Sequence, residues 1–339
     1  LTVQRGGATA VLSPINSLWG LLLVPPSPNR NILSQSFLFE LPEAFREGTV
    51  SLSAQVKTLS NVIDTSPGNN QIATQVSYET APALNFVIFR IGYGFGGQQY
   101  WPSMGDANAL ISWLRRAYPT PKISYTVRNL YWGTMSRKWV VDPDSGQGSW
   151  QSTNPTCSGV NLVLSQIWYF DYITGKISAH THYYGMVDDS IAFMRGCTPV
   201  PGKAASGPTG AGTWGWDTDG TYGDWYGGHE LAHSFGRGHA NFCGAEGGSS
   251  YPYPGGRISP VLTGNTALFG FDAATRAVYP PSWHDVMSYC SNQWISDFTY
   301  EALLNWFQGK GSAAAAEVGA SAAVDRLLDG LHSEASEGT

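Results

Sequence analysis

Charge is scarce in this 339-residue chain: 13% of its residues are Asp, Glu, Lys or Arg, and no basic run exceeds a pair such as Arg115-Arg116. With a net charge of −6 there is no electrostatic footprint for nucleic acid or an anionic membrane, and neither is expected as a partner. Long apolar runs are also missing. The longest near the start, Leu18 to Pro26, is broken by Gly20 and closed by two prolines, well short of the ~20 residues that span a bilayer. No basic segment and no initiator Met precede it, so a signal peptide is not expected, and the chain reads as an internal fragment or a mature form. No repeat of solenoid or propeller period is visible. Cysteine is sparse, and Cys157, Cys197, Cys243 and Cys290 include no CxxC spacing, which excludes the common thiolate zinc and redox motifs. Their even count predicts two disulfides, from three possible pairings, and an oxidising compartment; four buried thiols are the alternative.

What the chain does have is apolar and aromatic mass: 42% hydrophobic residues, with 13 Trp and 17 Tyr, enough for a packed core. Its length suggests two domains. Period-two alternation over Phe37–Leu41, Thr49–Ala54 and Ala73–Tyr78, with turn formers at Ser66–Asn70 between, predicts short strands in a small β-sandwich. A more buried strand is expected over Leu84–Ile91, then a helix over Asp106–Tyr118 with Asp106 as N-cap and Pro119 as its stop. Strands are predicted at Ile123–Trp132, Val160–Phe170 and Met186–Phe193, then a Gly- and Trp-rich loop over Gly202–Gly228 and a last helix over Thr299–Gln308. Beyond Gly309 the composition turns to Ala, Gly and Ser.

The chemistry lies in His229-Glu230-Leu231-Ala232-His233-Ser234-Phe235-Gly236-Arg237-Gly238-His239. His229 and His233, four apart, project from one face of a helix expected near 225–237 and can share one metal ion. His239 needs the chain to turn first, and Gly236 and Gly238 supply backbone that can do so. Three nitrogen ligands leave a fourth position open for water, the mark of a catalytic rather than a structural zinc site. Glu230, beside the first ligand, can take a proton from that water as it attacks a carbonyl. An amphipathic helix with incidental histidines would not place three of only seven histidines in this spacing.

These residues resemble the metzincin clan of zinc endopeptidases, and His284-Asp285-Val286-Met287-Ser288-Tyr289-Cys290 resembles that clan's Met-turn. The resemblance implies that Met287 lies beneath the metal as an apolar floor without ligating it. It also implies that Tyr289, two residues on, supports the tetrahedral intermediate as in astacin-like and serralysin-like members; a purely structural tyrosine is the alternative. Ala240 departs from the pattern, since astacins carry Glu and reprolysins Asp after the third histidine. The separation of His239 and Met287, 48 positions apart, with Asp297–Tyr300, looks closer to large secreted microbial metzincins than to compact ones. If both motifs line one site, Cys243 and Cys290 come within bonding distance, leaving Cys157 with Cys197.

The chain is thus expected to be α+β. A β-sandwich-like accessory domain covers 1–83; a metzincin-like domain covers 84–310, with a mixed sheet, an active-site helix and a C-terminal helix; and a flexible or marginally helical tail covers 311–339. By resemblance it is a secreted, monomeric enzyme with one catalytic zinc, acting on protein or glycoprotein substrates, with Tyr183–Val187 as an edge strand that pairs with extended peptide. A non-catalytic binding protein on the same scaffold and a hydrolase of non-peptide amides are the rival functions, and the intact Glu230 argues against the first.

Three weaker signals remain. Asp217, Asp219 and Asp224 suggest a Ca2+ site, although no closing Glu follows and Asx turns explain the same pattern. His180 and His182 alternate on one strand face and could bind metal or line the cleft, or simply pack. Gly92–Gly97 matches GxGxxG but leads into no helix, so it cradles no dinucleotide.

Overall fold

The computed structural model describes residues 1–310 except 18–21, 23–24, 26, 57–62, 64, 66–67, 69, 144–145, 194, 213–215, 218 and 247–250. The expected tail at 311–339 and parts of the Leu18–Pro26 and Ser66–Asn70 segments lie outside the described residues. The chain is α+β, in two compact units: Leu1–Thr80 with Thr275–Val278, and the remainder.

In the first unit β1 (Thr2–Arg5), β2 (Ala8–Val11), β3 (Gly48–Gln55) and β4 (Gln71–Tyr78) form one antiparallel sheet in the order β2-β1-β3-β4. Two of these strands match the expected alternating segments, but among the described residues there is one sheet here, not the two layers of a sandwich. A small cluster of Val3, Phe45 and Val50 backs it. The strand expected at Phe37–Leu41 does not form. The Asn16 side chain instead takes up backbone that a neighbouring strand would pair, donating to Ser36 O (2.7 Å) and accepting from Leu38 N (2.9 Å).

The second unit is built on β5 (Leu84–Phe95), flanked by parallel partners β7 (Ile123–Thr134) and β10 (Thr181–Asp188), with β11 (Ala204–Thr209) parallel to β10 and β6 (Gln98–Tyr100) turning back antiparallel on β5. Gly96 and Gly97, both at positive φ, make that tight turn, so the GxGxxG segment is a hairpin. Eight of the twelve residues of β5 and seven of the eight of β10 are buried, as a parallel sheet covered on both faces requires. Alternate β5 residues face opposite layers: Phe86 and Ile88 meet α1 (Met104–Ala117) and α3 (Gly223–Ser234), while Val87, Phe89 and Ile91 meet α2 (Cys157–Ile173).

Helix α1 starts two residues before the sequence suggests. Ser103 is its N-cap, accepting from Asp106 N (3.0 Å), and Asp106 answers by accepting from Ser103 N (2.7 Å). Asp106 therefore completes a capping box instead of capping by itself. Val160–Phe170 is no strand but the body of α2: its β-branched and aromatic residues favour a strand locally, and packing of a helical face overrides that preference. Thr156 caps it by accepting from Gly159 N, and Val160, Leu164 and Asp171 bury one helical face.

Strand β10 lies earlier than Met186–Phe193; Asp188 ends it by accepting from Ser190 N in an Asx turn. Since β10 sits between β5 and β11, Tyr183–Val187 is interior and is not the substrate-pairing edge. The loop expected over Gly202–Gly228 instead holds β11 and the start of α3. Its residues are poor strand formers, but small ones are needed: a Cβ on Gly207 would lie 2.5 Å from the Tyr184 hydroxyl. The last helix, α4 (Asp297–Phe307), starts two residues earlier than expected, with Ser296 accepting from Thr299 N.

Close approach of α3 to α1 requires Gly228, where a Cβ would stand 2.2 Å from the buried Trp113 ring. Gly228→Ala is expected to destabilise the fold by about 1–3 kcal/mol through overpacking, although alanine favours helix by ~1 kcal/mol. Chemical denaturation of the metal-free chain measures this, and an unchanged midpoint would contradict it.

Candidate metal centre

Helix α3 presents His229 and His233 on one face, as their four-residue spacing dictates. It then ends on a left-handed glycine. Gly236 has φ +79, its N–H donates to His233 O (2.9 Å), and Arg237 N donates to Ala232 O (3.0 Å), the two bonds of a Schellman motif. A side chain at Gly236 would also strike Trp306 of α4, 2.9 Å from the Cβ position. This turn reverses the chain and returns His239 to the other two.

All three histidines converge through Nε2, with His233 Nε2 3.1 Å from both His229 Nε2 and His239 Nε2. Each Nδ1 meets a backbone carbonyl: His229 with Val286 O (2.6 Å), His233 with Arg237 O (2.5 Å) and His239 with Glu246 O (2.5 Å). A carbonyl only accepts, so each Nδ1 carries the proton and each Nε2 presents a lone pair. Three lone pairs then face one another with no proton between them, an arrangement that a cation resolves. Ligands ~2.0–2.1 Å from a tetrahedral ion stand roughly 3.3 Å apart, close to the spacing seen. Burial and the neighbouring imidazoles push His229 down to about 3, and burial, with the charges of His239 and Arg237, holds His233 at about 4 against the hydrogen bond to the Arg237 carbonyl, so both are neutral and free to ligate at physiological pH.

Glu230 is 4% exposed, and burial drives its carboxyl up to about 8 against the opposing hydrogen bond from Thr198. Tyr289 lies at the mouth, its hydroxyl 3.2 Å from His239 Nε2; burial, then the Glu230 charge, raise its pKa. Met287 is buried in the cluster that includes Leu231, Ala232 and Phe235 of the segment that carries His229 and His233. Its carbonyl accepts from Ala240 N (2.9 Å), and its N–H donates to the buried Asp285 (2.8 Å). The turn around Met287 thus holds His229 through the Val286 carbonyl and the His239 loop through Ala240. Cys243–Cys290 bonds the same two segments, and Cys157–Cys197 is the second disulfide.

The other candidates fall elsewhere. His182 is 5% exposed, packs 4.4 Å from the Phe235 ring and pairs its Nδ1 with Ser234 Oγ at 3.1 Å. Burial keeps it neutral, and among the described residues neither it nor His180 belongs to a metal-holding group. Asp217, Asp219 and Asp224 do converge, and their carboxylate oxygens could hold a cation. Burial first, and its acidic neighbours second, push Asp224 up to about 9. Asp219 also accepts from Thr221 N (3.4 Å) in the Asx arrangement the sequence suggests.

Apart from Cys197, sequence reasoning passed over the segment Arg195–Thr198. Cys197 pairs antiparallel with Ser206, on the side of β11 away from β10, and Thr198 donates to Glu230. Only proximity to Cys197 could have drawn attention to it. The chain matches no protein-family profile, no curated protein and no solved structure, so functional argument rests on this geometry and the motifs.

Proposed function

We propose that this chain is a secreted zinc-dependent endopeptidase, with His229, His233 and His239 as metal ligands and Glu230 as general base. The observation that carries this is the convergence of three Nε2 atoms on one point, with Glu230, the residue after His229 on the same helix, buried. A zinc ion held there supplies Lewis acidity, polarising a carbonyl and making water more acidic. The protein does the rest. Glu230 takes the proton of the attacking water and returns it to the leaving amine. Tyr289 can donate its hydroxyl to the oxyanion that develops on the carbonyl. Extended peptide would run along the Arg195–Thr198 segment, outside β11, where it can add as a strand. Two disulfides fit an extracellular or otherwise oxidising setting, and no helix among the described residues is long and apolar enough to cross a membrane.

The test is elemental analysis of the purified chain with casein hydrolysis before and after chelation. About one zinc per chain is expected, with cleavage abolished by the chelator and restored by zinc. A chain without zinc, or cleavage indifferent to chelation, refutes the reading. One zinc without cleavage of any broad substrate favours a non-catalytic binding protein.

A further inference from the structure

We infer that Thr198 is a positioning residue that fixes the carboxylate of Glu230, acting from a strap, Gly196–Thr198, laid across the end of that side chain. The inference rests on the peptidase reading for its kinetic consequence but not for its geometry. Thr198 Oγ1 lies 2.9 Å from Glu230 O and 3.0 Å from Glu230 Oε2, so one hydroxyl ties the side chain to its own backbone carbonyl. Gly196 borders the other oxygen: a Cβ there would stand 2.6 Å from Oε1 and 2.8 Å from Cδ. The carboxylate is thus held by a donor on one oxygen and a bare Cα beside the other.

The strap is itself tied down residue by residue. Gly196 N donates to the Tyr226 hydroxyl of α3 (3.0 Å). Cys197 exchanges backbone bonds with Ser206 of β11 (3.1 and 3.3 Å), is disulfide-bonded to Cys157 at the start of α2, and accepts at its carbonyl from Asn161 Nδ2 (2.7 Å). Three elements therefore fix a segment whose outcome is the placement of one hydroxyl. A glutamate has three side-chain torsions, and a base must meet its proton within hydrogen-bond reach, so a neighbour that removes that freedom acts on kcat.

Thr198→Val keeps the shape and removes the donor; Thr198→Ser restores it. In the zinc-loaded full chain, Thr198→Val is expected to lower kcat on casein peptides roughly 10- to 100-fold at unchanged zinc content. KM should stay within about twofold, and Thr198→Ser should recover most of the rate. Crystal structures of wild type and Thr198→Val are expected to show the carboxylate displaced in the variant; should that variant not fold, Thr198→Ala serves. Wild-type kcat in the variant, or a carboxylate that has not moved, overturns the inference. If the wild type cleaves no peptide, the peptidase reading fails, and the pair of crystal structures still decides the role of Thr198.

Discussion

Glu230→Ala is expected to keep about one zinc per chain and to lose roughly 10²- to 10⁴-fold in kcat, the range that general acid–base catalysis contributes. The separation follows from geometry. The metal set is complete without Glu230, because each imidazole is oriented by a backbone carbonyl: Val286, Arg237 and Glu246 supply them. A carbonyl accepting from each Nδ1 fixes the tautomer and the ring, so the ligands survive loss of the neighbouring carboxylate. Removing a buried acid also leaves little unsatisfied, since Thr198 keeps the backbone carbonyl of residue 230 as acceptor. Elemental analysis and single-turnover cleavage on the same preparation provide the check, and zinc loss equal to that of a ligand variant would remove Glu230 from its role.

His233→Ala is expected to lose both the zinc and the hydrolysis. This histidine is the hub of the set: its Nε2 lies 3.1 Å from each of the other two, and the pair left behind cannot make the three-ligand site that a catalytic zinc requires. The loss has a second readout that does not depend on cleavage. A ligand that binds only the folded chain stabilises it by about 2.7 kcal/mol at a hundred times its Kd. Zinc should therefore raise the melting temperature of the wild type and of Glu230→Ala, but not that of His233→Ala. A zinc-dependent shift persisting in His233→Ala would place the ion elsewhere, and the Asp217, Asp219 and Asp224 cluster would be the next site to test.

The Cys243–Cys290 disulfide pins the loop that carries His239. His239 is reached through a glycine turn and held by the Glu246 carbonyl on a loop segment without regular secondary structure, so its position depends on what pins that loop. Cys243–Cys290 and the Ala240-to-Met287 hydrogen bond supply two such pins, both to the segment that also orients His229. Closing a long loop in this way restricts the unfolded chain as well as the folded one.

Much of the centre was legible in the residues themselves. Spacing of four on a helix brings His229 and His233 together, and Gly236 is the residue a left-handed helix end demands, so the His triad needs only local rules to be read. The strand at Ile123 and the last helix were legible for the same reason, because alternation or helical period is visible within the segment. The pairing of the four cysteines was open by count alone and followed only from bringing two motifs to one site.

What only the tertiary structure decided has a common cause: those features depend on neighbours distant in the chain. Val160–Phe170 is helix because its buried face is a helical one against the sheet, which overrides the strand preference of its β-branched and aromatic residues. Residues Ala204–Thr209 form a strand despite poor propensity because pairing with β10, and room for Tyr184 and Tyr226 at Gly207, select small residues there. Among the described residues the first unit holds one sheet, and at Ser36 and Leu38 an asparagine side chain takes the bonds that a strand partner would make. Tyr183–Val187 becomes interior because a parallel sheet orders its strands by crossover and not by sequence. Thr198 lies 32 residues before Glu230, and no local pattern announces a hydroxyl aimed at that carboxylate. Local spacing determined which residues could ligate the metal; long-range packing determined what orients them and what holds the base in place, because orientation is set by partners that only the folded chain brings near.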